Sequence, residues 1–257
     1  SLVKSLKSFA VASVTPVIID PETTFITLTT TFKYDSSLTT KDVSTLQTNV
    51  LNAVSTYNTD TLEDFTGMFR YSAVGKTIDE ADTSILSNIT KIKMYKYITP
   101  TLSSGLKYTL SFNNAFYNPH SGHNASAGGI VSSTGFKIND DSSTNEHFLD
   151  DNGEGAIRVY YLSGTTRIYT DSSFGTIDYT TGEIILTSAN ITSISNVDGA
   201  ASTQIRVTVT PSSNDVVPVR NQVLSIDTAN SSFTGSVDEI ESGSSQAGTS
   251  YTTTSSY

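Results

Sequence analysis

Between Thr24 and Tyr34 the chain reads TFITLTTTFKY, and its two alternating sets of side chains differ in kind. Ile26, Leu28, Thr30, Phe32 and Tyr34 share one face of an extended chain, while Phe25, Thr27, Thr29, Thr31 and Lys33 take the other. The pattern predicts a strand with an apolar side and a hydroxyl-rich side. It holds no acid, histidine or glycine turn, so nothing in it moves a proton or cradles a phosphate. The period then changes to three and four. Val43, Leu46, Val50, Ala53, Val54 and Tyr57 predict an amphipathic helix, begun by a Thr39–Asp42 variant of the capping box and ended at Asn58. Thr61 and Asp64 mark a second helix start, with Leu62, Phe65, Met68 and Phe69 as its stripe, and TIDEADTSILSN suggests a short third helix. Residues 89–99 alternate again, with Ile92, Met94 and Ile98 opposite Lys91, Lys93, Tyr95 and Tyr97. Strand, two to three helices and strand, closing at Pro100, predict a small α/β layer.

From about residue 101 the pattern breaks into short β-branched and aromatic runs bounded by Gly, Asn, Asp, Ser or Pro: LKYTLSFNNAF, GGIVSSTGFKI, AIRVYYLS, TRIYTD, GTIDYTTGEIILTS and QIRVTVTP. Regular spacing of this kind predicts a β-sandwich or barrel-like unit. DYTTGEI reads as a hairpin with Gly182 at the positive-φ position, and VVPVRNQVLSID as one more edge segment. The expected class is therefore α+β, an N-terminal α/β layer followed by a mainly antiparallel β-rich domain. The expected division is 1–100, 101–212 as a sandwich-like domain, and 213–257 as an edge segment with a Ser/Thr/Gly-rich tail. That tail, SGSSQAGTSYTTTSSY, has almost nothing apolar to bury and is expected to be flexible alone.

Composition narrows the functions. At 257 residues the chain is long enough to bury a core. A formal charge of −10 disfavours sequence-independent nucleic-acid binding and anionic membranes. With no cysteine, disulfides, thiolate metal sites and cysteine nucleophiles are absent. FAVASVTPVII is interrupted by Ser13, Thr15 and Pro16 and does not read as a signal peptide. No run reaches the roughly 18 apolar residues of a spanning helix. Ser1 in place of Met suggests a fragment.

Candidate chemistry is thin. His120, His123 and His147 suffice arithmetically for a three-His metal site, but the HSGH turn spacing does not fix ligand geometry, and two loop histidines in solvent is the preferred reading. Asp140, Asp141, Glu146, Asp150, Asp151 and Glu154 crowd one segment without EF-hand order, so calcium ligands or a glycosidase carboxylate pair are set below a solvated acidic turn. No nucleophile elbow or nucleotide-binding loop occurs. Lys91, Lys93 and Lys96, interleaved with Tyr95 and Tyr97, suit a sheet edge or an acidic partner better than nucleic acid.

A resemblance is carried by VTPVIIDPETTFITLTTTFKYD and LNAVSTYNTDTLEDFTGMFRYSAVGKTIDEADTSILSNITKIKMYK, over roughly residues 14–100. Tyr34, Tyr57 with Asn58, Leu62, Phe65, the run Phe69-Arg70-Tyr71-Ser72, and Ile78, Asp79, Asp82 and Ile85 stand in the order of a family pattern. In these positions the chain resembles the baseplate wedge proteins of T-even-like contractile-tailed phages, within the baseplate J-like group, and looks like a C-terminal fragment of one. The resemblance implies a structural virion protein of the tail baseplate, assembled in the host cytoplasm. Its expected partners are itself, as a homodimer or higher oligomer, and other wedge proteins, with wedges linked into the inner baseplate ring. It implies no catalytic residue, cofactor or metal, and no nucleic-acid or membrane partner.

On this reading the strand's apolar face anchors helices and its hydroxyl-rich face meets other proteins. Phe25, Tyr95 and Tyr97 are the expected interface residues. The alternative is a carbohydrate- or receptor-binding tail module using the loop NNAFYNPHSGHN.

Overall fold

The computed structural model describes residues 21–123, 129–139, 141 and 145–239. FAVASVTPVII, Asp140 and the Ser/Thr/Gly-rich tail lie outside the described residues. The protein is mostly β, 47% strand and 14% helix, with two α-helices. In chain order it runs β1 (Glu22–Tyr34), α1 (Val43–Tyr57), a π-turn (Asn58–Leu62), α2 (Tyr71–Asp79), β2 (Ile85–Ile98), β3 (Gly105–Ser111), β4 (Ser132–Ser133), β5 (Phe136–Ile138), β6 (His147–Asp151), β7 (Ala156–Ser163), β8 (Thr166–Asp178), β9 (Glu183–Ile194), β10 (Ile205–Val209), β11 (Gln222–Ile226) and β12 (Ser232–Val237).

The expected α+β class, with its N-terminal α/β layer of two to three helices, is overturned by this architecture. β1 and β2 do pair antiparallel, but their sheet is completed from the other end of the chain. β10 lies beside β2 with β4 outside it, and β11 and β12 both run parallel to β1, along its first and second halves. Two strands alone leave an apolar face too narrow to shield a core, whereas six strands under two helices give a continuous one. Ile26, Leu28 and Phe32 of β1 and Leu46, Val50 and Val54 of α1 are fully buried, joined by Val74 and Ile78 of α2.

The helices differ from expectation for local reasons. α1 forms as its periodicity predicts, but its cap is Asp42, whose carboxylate accepts the Thr45 N–H at 2.8 Å. The predicted second helix is replaced by the π-turn and a loop. Leu62 and Phe69 reach the core, while Phe65 is 59% exposed and Met68 is also exposed. Gly67 passes so close to Thr61 and Leu62 that a Cβ would lie 2.4 Å from the Thr61 carbonyl oxygen. The third helix is shifted toward the N-terminus, to Tyr71–Asp79. It ends where Asp82 takes both the Ser84 N–H at 3.0 Å and the Ser84 hydroxyl at 2.7 Å, turning the chain into β2.

The second sheet orders β3-β9-β5-β6-β7-β8, and a further β8–β9 pairing closes β5 to β9 into a five-stranded barrel. The predicted segments AIRVYYLS and QIRVTVTP form β7 and β10, while TRIYTD and GTID fuse into the single strand β8. The hairpin at Gly182 forms as read: its φ is +71° and a Cβ there would meet the Asn114 carbonyl oxygen at 2.1 Å. Leu149, Ile157, Val159 and Ile184 fill the barrel.

Candidate functional site

The sheet is asymmetric. One face carries the helices; on the other, the odd-numbered residues of β1 stand in register with those of β2, Phe25 opposite Tyr95, Thr27 opposite Lys93, Thr29 opposite Lys91, Thr31 opposite Ile89 and Lys33 opposite Ser87. β12 adds Ser232, Thr234 and Ser236 beside Thr29, Thr31 and Lys33. Period-two alternation places every one of these side chains on the face away from the helices, and from Thr29 onward that face is exposed.

The three residues singled out in the sequence meet on it. Phe25 stacks on Tyr95 at 4.9 Å between ring centroids, and Tyr97 packs edge-on against both, at 5.8 Å from Phe25 and 5.4 Å from Tyr95. Their environments differ. Tyr95 is only 3% exposed, donates its hydroxyl to Asp227 at 2.6 Å and lies under the Arg206 guanidinium. Burial first, and the Asp227 carboxylate second, push its phenol well above the usual range. Burial pushes Asp227 upward too, but hydrogen bonds from Tyr95, Asn230 and Ala229 outweigh it and hold the carboxyl below its ordinary value. Phe25 and Tyr97 stay half-buried. Phe25 separates two shallow grooves: one of about 420 Å³ bordered by Tyr97, Leu110 and Gln204, and one of about 580 Å³ bordered by Phe65, Pro21 and Val223. An apolar ring exposed between two open grooves is a surface suited to contact, not to enclosing a small substrate.

Of the three lysines grouped in the sequence, Lys96 leaves the set. It is buried on the opposite side of β2, with its ammonium 2.8 Å from Glu22 and donating to the Ser111 carbonyl at 2.7 Å. Lys91 and Lys93 remain exposed on the open face and are joined there by Lys33.

The acidic segment divides. Asp150 and Asp151 lie on β6 and are fully buried, against the expected solvated turn, whereas Glu146 and Glu154 on either side of that strand are exposed. Asp150 accepts Arg158 Nε at 2.9 Å and Arg158 Nη2 at 3.2 Å, Arg167 Nη1 at 2.8 Å and the Tyr169 hydroxyl at 2.8 Å. Asp151 accepts the Ile130 and Val131 N–H groups at 2.6 and 2.9 Å and the Tyr179 hydroxyl at 2.5 Å. Both carboxylates have their acceptor capacity taken up by fixed donors, which is the behaviour of cross-links within a fold. The signal for this was present: Asp150 and Arg158 face each other across one hairpin, in a run whose alternate residue Leu149 is apolar.

The histidines separate. His120 and His123 share a hydrogen bond at 3.1 Å in their loop, whereas His147 is buried on β6, 2.9 Å from Asp141. Among the described residues no three His, Asp or Glu side chains cluster in a way that would hold a metal ion. In the loop read as a recognition loop, Phe116 is buried and Asn114 bonds the Val217 backbone through both its carbonyl and its amide, while Tyr117 and His120 are exposed.

The motif residues of the N-terminal segment act as joints. Asn58 Oδ1 accepts the Ile226 N–H at 2.6 Å, capping the outer edge of β11. Arg70 pairs with Asp215 at 2.8 Å, and Asp215 also accepts the Tyr71 N–H at 2.9 Å. Asp79 accepts the Asn88 amide at 2.8 Å. No curated protein matches the chain. Residues 22–97, the span from β1 through β2 that contains the aromatic triad and all three open-face lysines, match the family model of baseplate structural protein gp6, C-terminal domain III, and the match supports a structural protein of a phage tail baseplate.

Proposed function

We propose that this chain is a component of a baseplate wedge that works by adhesion: it associates with itself and with other wedge proteins and links neighbouring wedges in the inner baseplate ring of a contractile tail. Catalysis plays no part in this reading. The observation that carries it is the open sheet face within the gp6-like span, where Phe25, Tyr95 and Tyr97 form one aromatic cluster beside exposed threonines and lysines. Aromatic side chains surrounded by polar, unstrained surface are the usual anchors of contacts between proteins. Tyr95 serves as the buried base that fixes the other two rings, and Phe25 and Tyr97 are the groups left for a partner.

Light scattering of the full chain, alone and mixed with candidate wedge proteins, tests the proposal. The expected result is a mass above that of the monomer, or a complex with a wedge protein, that the double substitution Phe25→Ser, Tyr97→Ser weakens without unfolding the chain. A monomer indifferent to every baseplate protein would contradict it.

A further inference from the structure

The far end of the open face holds cations that form no ion pair among the described residues. Elsewhere, seven lysines and arginines are held in ion pairs with acids. Lys33, Lys91 and Lys93 are exposed and form no ion pair among the described residues, and no acid occupies a neighbouring register position on β1, β2 or β12. Yet the chain has 25 acidic residues against 15 basic ones.

The register fixes their arrangement. Lys93 and Lys91 are two residues apart on β2, and Lys33 stands opposite Ser87, four residues beyond Lys91. At about 3.4 Å per residue the three ammonium groups are rooted along a row of roughly 20 Å. Within that row Ile89 is 71% exposed, the most exposed large apolar side chain among the described residues. Thr29, Thr31, Ser232 and Thr234 flank it and supply hydroxyls and methyls without charge.

We propose that the Lys33–Lys91–Lys93 row docks an acidic surface of another protein, with Ile89 as its apolar anchor. This deepens the adhesive reading above by naming the chemistry of the partner. The net charge of −10 means that an acidic partner approaching most of this molecule meets like charge, so a basic row on one open face sets the orientation of encounter as well as attracting the partner. A nucleic acid is the poorer fit. Three cations neutralise few phosphates, the field of the whole chain repels a polyanion, and an exposed isoleucine finds no complement on a phosphate backbone.

The test uses the full chain with immobilised poly-L-glutamate as the acidic probe and a 20-base-pair DNA duplex as the competing polyanion, at low ionic strength. K33E/K91E/K93E is compared with K107E/K137E/R220E, which makes the same change in net charge at residues away from this face that form no ion pair among the described residues. The face variant is expected to lose about tenfold or more in poly-L-glutamate affinity and the control less than about threefold. K33Q/K91Q/K93Q, which removes attraction without adding repulsion, falls between wild type and the reversal. Circular dichroism is expected to be unchanged in all three. Equal losses in face and control variants, tighter binding to the duplex than to poly-L-glutamate, or no retention of the wild type would each overturn the proposal. Whether the chain is present in purified virions, read by mass spectrometry, tests the adhesive reading separately, so the two failures are told apart.

Discussion

The barrel and the sheet are built from similar strands but are finished differently. β5 to β9 close on themselves, and two acids of β6 are taken up as cross-links on its two faces: Asp150, on the face away from Leu149, binds two guanidiniums and a phenol, and Asp151 binds two backbone N–H groups and Tyr179. The sheet is covered on one side only. At the outer edge of β11 Asn58 takes the Ile226 N–H, while the open face keeps Phe25, Tyr97, Ile89 and three lysines that form no ion pair among the described residues. Closure makes one half self-sufficient and leaves the other with unsatisfied surface. The contrast supports the proposed adhesive role, in which the open sheet rather than the closed barrel meets other proteins.

The comparison breaks most sharply at Asp150. Asp150→Ala leaves Arg158, Arg167 and Tyr169 without their shared acceptor, and urea unfolding is expected to show a loss of about 3–5 kcal/mol. Leu46→Ala tests the covered side of the sheet. Leu46 is fully buried on α1, so a loss of about 2–5 kcal/mol is expected from the removed methyl groups and the cavity left behind. Gly235→Ala probes how closely β12 lies under the helix layer. Its Cβ would fall 2.7 Å from the Phe32 ring and 2.8 Å from Val43, and overpacking is expected to cost about 1–3 kcal/mol.

A pH series sharpens the picture at the helix–sheet joint. The Lys41 ammonium, 2.5 Å from Asp82, holds that carboxyl down to about 2 against the effect of burial, with Ser84 assisting. A carboxyl depressed in the folded state contributes stability above its ordinary value near 4, and that contribution is lost as pH falls through about 2. Asp82→Asn is expected to be less stable than wild type at pH 7 and to show a flatter decline between about pH 4 and 2. The smallest effect on stability is expected at the contact surface. Phe25→Ser with Tyr97→Ser is expected to lower the melting temperature less than the core substitutions, because both rings are only partly buried, while association falls.

What the sequence revealed follows from how local each cause is. β1, α1 and β2 are written in periods of two and 3.6 over more than ten residues each, and all three form. The aromatic triad was legible for the same reason: odd-numbered positions on two neighbouring strands share a face. The opposition of Phe25 to Tyr95 needed the register, and the stacking needed the structure. The class does not follow from local pattern because β10, β11 and β12 join β1 and β2 from more than 100 residues away, and no local pattern reports that pairing. α2 is hard to place from sequence because Gly75 interrupts its periodicity; at that position the Gly75 carbonyl accepts the Asn88 amide at 2.9 Å. Acid clusters are usually solvated, and Asp150 and Asp151 depart from that only because donors arrive from β8, from the chain before β4 and from the β8–β9 turn. Lys96 likewise sits on the buried set of β2, where its ammonium is satisfied by Glu22 and Ser111.

On the proposed reading the molecule acts through the open face of its first sheet. Sedimentation of the full chain over a concentration series, with and without a candidate wedge protein, measures that most directly when wild type is run beside the Phe25→Ser, Tyr97→Ser double variant. Complexes are expected for the wild type, with weakening in a variant that still folds and melts cooperatively. Equal complexes from both proteins, or a wild type that stays monomeric with every baseplate partner offered, would contradict it.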